Sequence, residues 1–96
     1  MKTSCEEWLK AQFGDDRETI EAVYAEYVET VAGLRRELAE VRASGDAAAL
    51  DRVLHTIKGT AAMAGDAELS EKAQASRAAA EAASLDAIDA LMAALA

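Results

Sequence analysis

The chain has 96 residues and a formal net charge of −8, enough for one small domain built on one core. Its acidic balance excludes nonspecific binding to nucleic-acid phosphates and disfavours an anionic membrane surface, because no basic patch exists to displace counterions or meet lipid headgroups. No apolar run approaches membrane-span length, and the first residues form no signal peptide.

Proline is absent, and alanine, leucine, glutamate and valine dominate, a composition that favours helix nearly throughout. No run alternates apolar with polar residues as a strand does. Ser4 with Glu7 reads as a capping box before a short helix over about residues 5–13, which carries Trp8, Leu9 and Phe13. Gly14 ends it, and Asp15 or Asp16 can cap the next helix. That second helix runs to about Ala43, with Ile20, Val23, Tyr24, Tyr27, Val28, Val31, Leu34, Leu38 and Val41 along one stripe. Ser44-Gly45-Asp46 is a stop followed by a new N-cap.

A third helix is expected from about Ala47 to Ala64, stopping at Gly65. Asp66 caps a fourth, alanine-rich helix with Leu69, Ala73, Ser76 and Ala80 on one face. Ala83-Ser84 marks a weak break before a fifth carrying Leu85, Ile88, Leu91, Met92 and Leu95. Connections of about two or three residues force successive helices to turn back on one another. The expected fold is all-α: an antiparallel up-down-up-down four-helix bundle over about residues 16–96, with the short N-terminal helix against one end. A coiled-coil homodimer competes with this, but sustained heptads are missing. Each apolar stripe is consumed within one bundle, so a monomer is expected.

Cys5 is the only cysteine, so no internal disulfide forms and a reduced, cytoplasmic setting is the simpler reading. Glu6 and Glu7 beside it work against a low-pKa thiol. One His and one Cys offer no metal site.

The stretch LHTIKGTAAMAG, residues 54–65, holds the sole histidine. On a helical wheel with Leu50 at the origin, Val53, Leu54, Ile57, Ala61 and Ala64 fall within about 60°, which makes them the core stripe. On that wheel Lys58 lies near 80°, Ala62 near 120°, His55 about 140° and Gly59 about 180° away. The histidine therefore faces outward. Gly59 costs a mid-helix position about 1 kcal/mol relative to alanine and has no turn to make there, so either it leaves room for something or it packs closely against another helix. Ala48 and Ala62 keep the rest of the face shallow. Lys58, three residues on, puts a cation within reach of anything attached to the imidazole. An exposed imidazole with an open approach and an adjacent cation suits a nucleophile that accepts an anionic group such as phosphoryl. Against this stand an idle surface histidine and a solvated lysine; the conjunction carries the weight.

His55-Thr56-Ile57-Lys58-Gly59-Thr60-Ala61-Ala62 resembles the H-x-hydrophobic-K-G-small-small signature of histidine phosphotransfer (HPt) domains. Gly65, Leu69 and the upstream Asp46, Leu50, Leu54 spacing continue the likeness. The resemblance implies a four-helix bundle whose exposed histidine shuttles phosphoryl groups between aspartates of receiver domains. On that basis His55 is phosphorylated, Lys58 steadies the phosphoryl oxygens, and Gly59, with Ala62 and Ala48, lets the receiver come close. Where the family often places a glutamine or glutamate from the next helix near the imidazole, the count from Gly65 falls on Arg77, which could help bind the phosphoryl group. Asp51, one turn before His55, could accept the Nδ1 proton or stand as a solvated carboxylate. Magnesium and the reacting aspartates are expected from the receiver, and no cofactor is expected in this chain. No GxxxxGK[ST] loop is present, so phosphorylation from ATP is not expected. The competing functions are the phospho-accepting domain of a chemotaxis-type histidine kinase and a phosphorylation-independent helical scaffold. A hydrolase is disfavoured, since one His without a positioned Ser, Cys or metal assembles no site.

Overall fold

The computed structural model describes residues 1–95; the last residue of the expected domain, Ala96, lies outside them. The order is α1 (Thr3–Phe13), α2 (Arg17–Ser44), α3 (Ala47–Ala62), α4 (Ala67–Ala78) and α5 (Ala82–Ala93), with no strand among the described residues. At a rise of 1.5 Å per residue α2 alone is about 42 Å long, and it sets the long axis of a particle measuring 44 × 20 × 19 Å.

Three of the four connections share one device. Gly14, Gly45 and Gly65 adopt positive φ (63°, 72° and 73°), a conformation that ends a helix cheaply only in glycine. An aspartate then opens the next helix. Asp16 accepts from the Thr19 amide at 3.1 Å, Asp46 from Ala49 at 3.1 Å and Asp66 from Leu69 at 3.4 Å, each satisfying an orphan N–H of the first turn. Asp16, rather than Asp15, is the cap of α2.

Three boundaries differ from the sequence expectation, one being the end of α3 at Ala62 rather than Ala64. The first helix starts earlier, with Lys2 as N-cap and no side-chain cap bond. Ser4 lies inside the first turn with its hydroxyl buried and without a hydrogen-bond partner, so the capping box does not form. The break between α4 and α5 falls at residues 79–81, not at Ala83-Ser84, which are both inside α5. Ala80 is accordingly exposed and outside α4. That connection has neither glycine nor capping aspartate, so an alanine-rich sequence gives no signal for it.

Packing α3 on α2 and α4, and α5 on α4 and α2, encloses one core. Tyr27, Val31, Leu34 and Leu38 of α2 meet Val53, Leu54, Ile57 and Ala61 of α3, Leu69 and Ala73 of α4, and Leu85, Ile88 and Met92 of α5. Leu50, expected in the core stripe, is half-buried. Small side chains at Ala61, Ala73 and Ser76 are fully covered and let α3 and α4 come close. Arg35 grips Asp89 with two hydrogen bonds (2.7 and 3.1 Å), and Arg42 reaches Asp86 at 2.9 Å, joining α2 to α5 along the outside.

The short first helix closes one end. Cys5 and Leu9 are fully buried. Burial, with the Asp66 carboxylate added, pushes the Cys5 thiol up, which leaves it a packing residue rather than a nucleophile. Lys2 donates to Asp66 at 2.6 Å, and the Tyr27 hydroxyl donates to the other carboxylate oxygen at 2.7 Å. One buried aspartate thus caps α4 and ties the approach to α1 onto α2. Burial and that carboxylate raise the Tyr27 phenol far above its ordinary range, so it remains a donor.

Candidate functional site

The geometry of the site follows from the core stripe of α3. Val53, Leu54, Ile57 and Ala61 are buried, so the opposite face, with Ala48, Asp51, Arg52, His55, Gly59 and Ala62, is exposed. His55 stands at its centre. A Cβ built on Gly59 would meet nothing within 4 Å. Close packing against another helix of the same chain therefore does not explain this glycine; the space beside it is open.

Lys58 is half-buried, and its carbonyl accepts a hydrogen bond from the Ser70 hydroxyl of α4 at 3.1 Å. Neither Lys58 nor Arg52, three residues to either side of His55, enters an ion pair among the described residues. They are the unpaired cations of this face, whereas Arg77 is paired with Asp51.

Arg77 lies in the last turn of α4, one residue beyond the buried Ser76, and so points along the seam toward α3. Its Nε and Nη2 donate to the two carboxylate oxygens of Asp51 at 3.0 and 3.3 Å, and its Nη1 lies 3.0 Å from His55 Nδ1. The Arg77 hydrogen bond holds the Asp51 carboxyl below the usual carboxylate range. The sequence brought Asp51 and Arg77 to the site separately and gave Asp51 the option of taking the Nδ1 proton. In the structure the guanidinium stands at Nδ1 instead, and Asp51 serves the arginine. A guanidinium only donates, so this contact is a hydrogen bond in the tautomer whose Nδ1 carries the lone pair. Ser70 was not foreseen: a serine on an alanine-rich helix carries no mark of its partner across the seam.

Farther along the face, a surface cleft between Ala62, Gly65, Ala67, Ser70, Glu71 and Trp8 continues the groove toward α1. Trp8 sits directly over Gly65, where an added Cβ would come within 2.2 Å of the Trp8 Cβ.

The family model of the Hpt domain matches residues 7–96. The chain belongs to the Hpt domain family. Comparison with curated proteins and with solved structures gave no match. Membership places this Hpt domain in two-component signalling, where such domains carry out histidine phosphotransfer and interact with receiver domains. The five helices of the described residues agree with the helical bundle of an Hpt domain. None of its described helices is long and apolar enough to cross a membrane.

Proposed function

We propose that this Hpt domain relays a phosphoryl group between aspartates of receiver domains and that His55 carries it. The observation supporting this most directly is that the only histidine of the chain is exposed on α3 beside open space at Gly59. The reading includes a monomer, acting in the cytoplasm, whose four longer helices run alternately up and down.

Imidazole is a good nucleophile near neutral pH. The Nε2 lone pair forms the N–P bond while the P–O bond to the receiver's aspartate breaks, and the electron pair leaves with the carboxylate. Such a transfer needs positioning and charge neutralisation more than covalent help. Lys58 supplies a cation for the phosphoryl oxygens. The receiver supplies the aspartate and Mg²⁺, and the shallow surface of Ala48, Gly59 and Ala62 admits it.

The test loads several receiver domains from a small phosphodonor with Mg²⁺ and mixes each with wild type and with His55→Gln. Acid-labile, base-stable label on wild type and none on His55→Gln is the expected result. Label only from a chemotaxis-type kinase domain with ATP replaces the relay with the kinase-domain reading. No label from any donor overturns the phosphotransfer role in favour of a scaffold.

A further inference from the structure

The contact between Arg77 and His55 decides which ring nitrogen is able to react. A guanidinium carries five N–H donors and no acceptor. Two of its nitrogens are committed to Asp51 (3.0 and 3.3 Å), and the third is 3.0 Å from Nδ1. Nδ1 therefore presents its lone pair, and a neutral ring in that state has its only proton on Nε2. A protonated Nε2 has no lone pair with which to attack phosphorus. We propose that Arg77, aimed by Asp51, is a tautomer lock on His55 that slows phosphoryl transfer in both directions. This rests on the relay reading above.

Forward transfer begins when the Arg77 Nη1 withdraws from Nδ1 and the ring proton moves, through water, from Nε2 to Nδ1. The Nε2 lone pair then forms the N–P bond as the P–O bond to the receiver's aspartate breaks, with the electron pair leaving on the carboxylate oxygen. The product ring carries phosphoryl on Nε2 and a proton on Nδ1. Loss of that proton to water gives a neutral ring whose Nδ1 lone pair again accepts from Arg77. Return of the phosphoryl group requires Nδ1 to be reprotonated, so that the ring leaves as neutral imidazole rather than as an anion. The guanidinium opposes that protonation as it opposes the first tautomer shift.

Arg77 as a phosphoryl ligand is the competing assignment. Its charge, however, is already matched by Asp51, in a pair whose side chains are 28% and 50% exposed. Lys58 and Arg52, in no ion pair among the described residues, are the cations left on this face, and Lys58 is the one the relay reading gives to the phosphoryl oxygens. Asp51 touches neither the ring nor the transferred group in this scheme. It is a positioning residue, holding two of three guanidinium nitrogens so that the third faces the imidazole.

Because the chain has one histidine, ¹⁵N NMR of the imidazole reports on His55 alone. At about pH 8, above the ordinary imidazole range, wild type is expected to show Nε2–H with Nδ1 as a hydrogen-bonded lone pair. Arg77→Ala is expected to raise the Nδ1–H fraction. In single-turnover transfer from a phosphorylated receiver, Arg77→Ala is expected to react about 3- to 10-fold faster, the factor for one exposed charge-assisted hydrogen bond. Return to the receiver should accelerate by a similar factor. Asp51→Asn should move both readouts the same way by less. An Nδ1–H ring in wild type, or slower transfer by Arg77→Ala, overturns the lock and leaves the relay standing. No label on either protein from any receiver overturns the relay, and the lock with it.

Discussion

Two trios of like make-up stand on α3, α4 and their neighbours, one centred on a buried carboxylate and the other on an arginine of the open face. Lys2, Asp66 and Tyr27 join a cation, a carboxylate and an aromatic ring at the end closed by α1; Arg77, Asp51 and His55 join the same three kinds of group on the open face. Asp66 is 0% exposed, whereas the Asp51 side chain is 50% exposed. A buried carboxylate must be fully partnered, because its desolvation is not recovered otherwise. Asp66 is, and its trio is a clasp. An exposed trio contributes little to stability, since solvent screens the charges, and its members remain free to exchange partners. Burial separates the structural trio from the one we propose to be chemical. The two glycines beside them repeat the contrast: Gly65 lies under Trp8, and Gly59 faces open space.

The strongest test of the comparison is Asp66→Ala. It removes the cap of α4 and leaves the Tyr27 hydroxyl buried without its acceptor, so a loss of about 3 kcal/mol is expected in urea unfolding. A loss under about 1 kcal/mol would make the clasp no better than a surface pair. Gly65→Ala is next. A non-glycine residue at φ 73°, with its Cβ driven onto Trp8, should cost about 2–3 kcal/mol. The smallest effect, opposite in sign, belongs to Gly59→Ala, which should stabilise the fold by about 0.5–1 kcal/mol because helix propensity improves and nothing is displaced. The same substitution should weaken receiver docking by roughly tenfold, read as the concentration dependence of transfer. A gain in stability without loss of docking would show that the open space is not used.

Much of the fold was legible because the chain punctuates itself. Glycine followed by aspartate closes one helix and opens the next at Gly45-Asp46 and Gly65-Asp66, and the stripe of α2 runs on without interruption. The α4–α5 boundary was misplaced by a few residues because alanine suits helix on both sides of it. The outward direction of His55 came from angle alone. Arg77 was placed near the imidazole through the family resemblance, but its pairing with Asp51, 26 residues away in sequence, was not legible, because a wheel assigns faces to single helices without saying which side chain of a neighbour reaches across the seam. Asp66 was readable as a cap but not as a buried ion, since Lys2 lies 64 residues away.

The unpunctuated end of α4 also bears on how quickly His55 can change state. Where α2 ends on a left-handed glycine, α4 ends at Ala79 with φ −139° and ψ 85°. Helix termini fray, and such local openings are among the least costly motions available to a folded chain. Arg77 lies in that last turn. On the lock reading, releasing its guanidinium from the ring asks only for a rearrangement beyond the buried Ser76, on the nanosecond-to-microsecond scale of terminus motion, while the clasp at the opposite end of the helix keeps α4 in register.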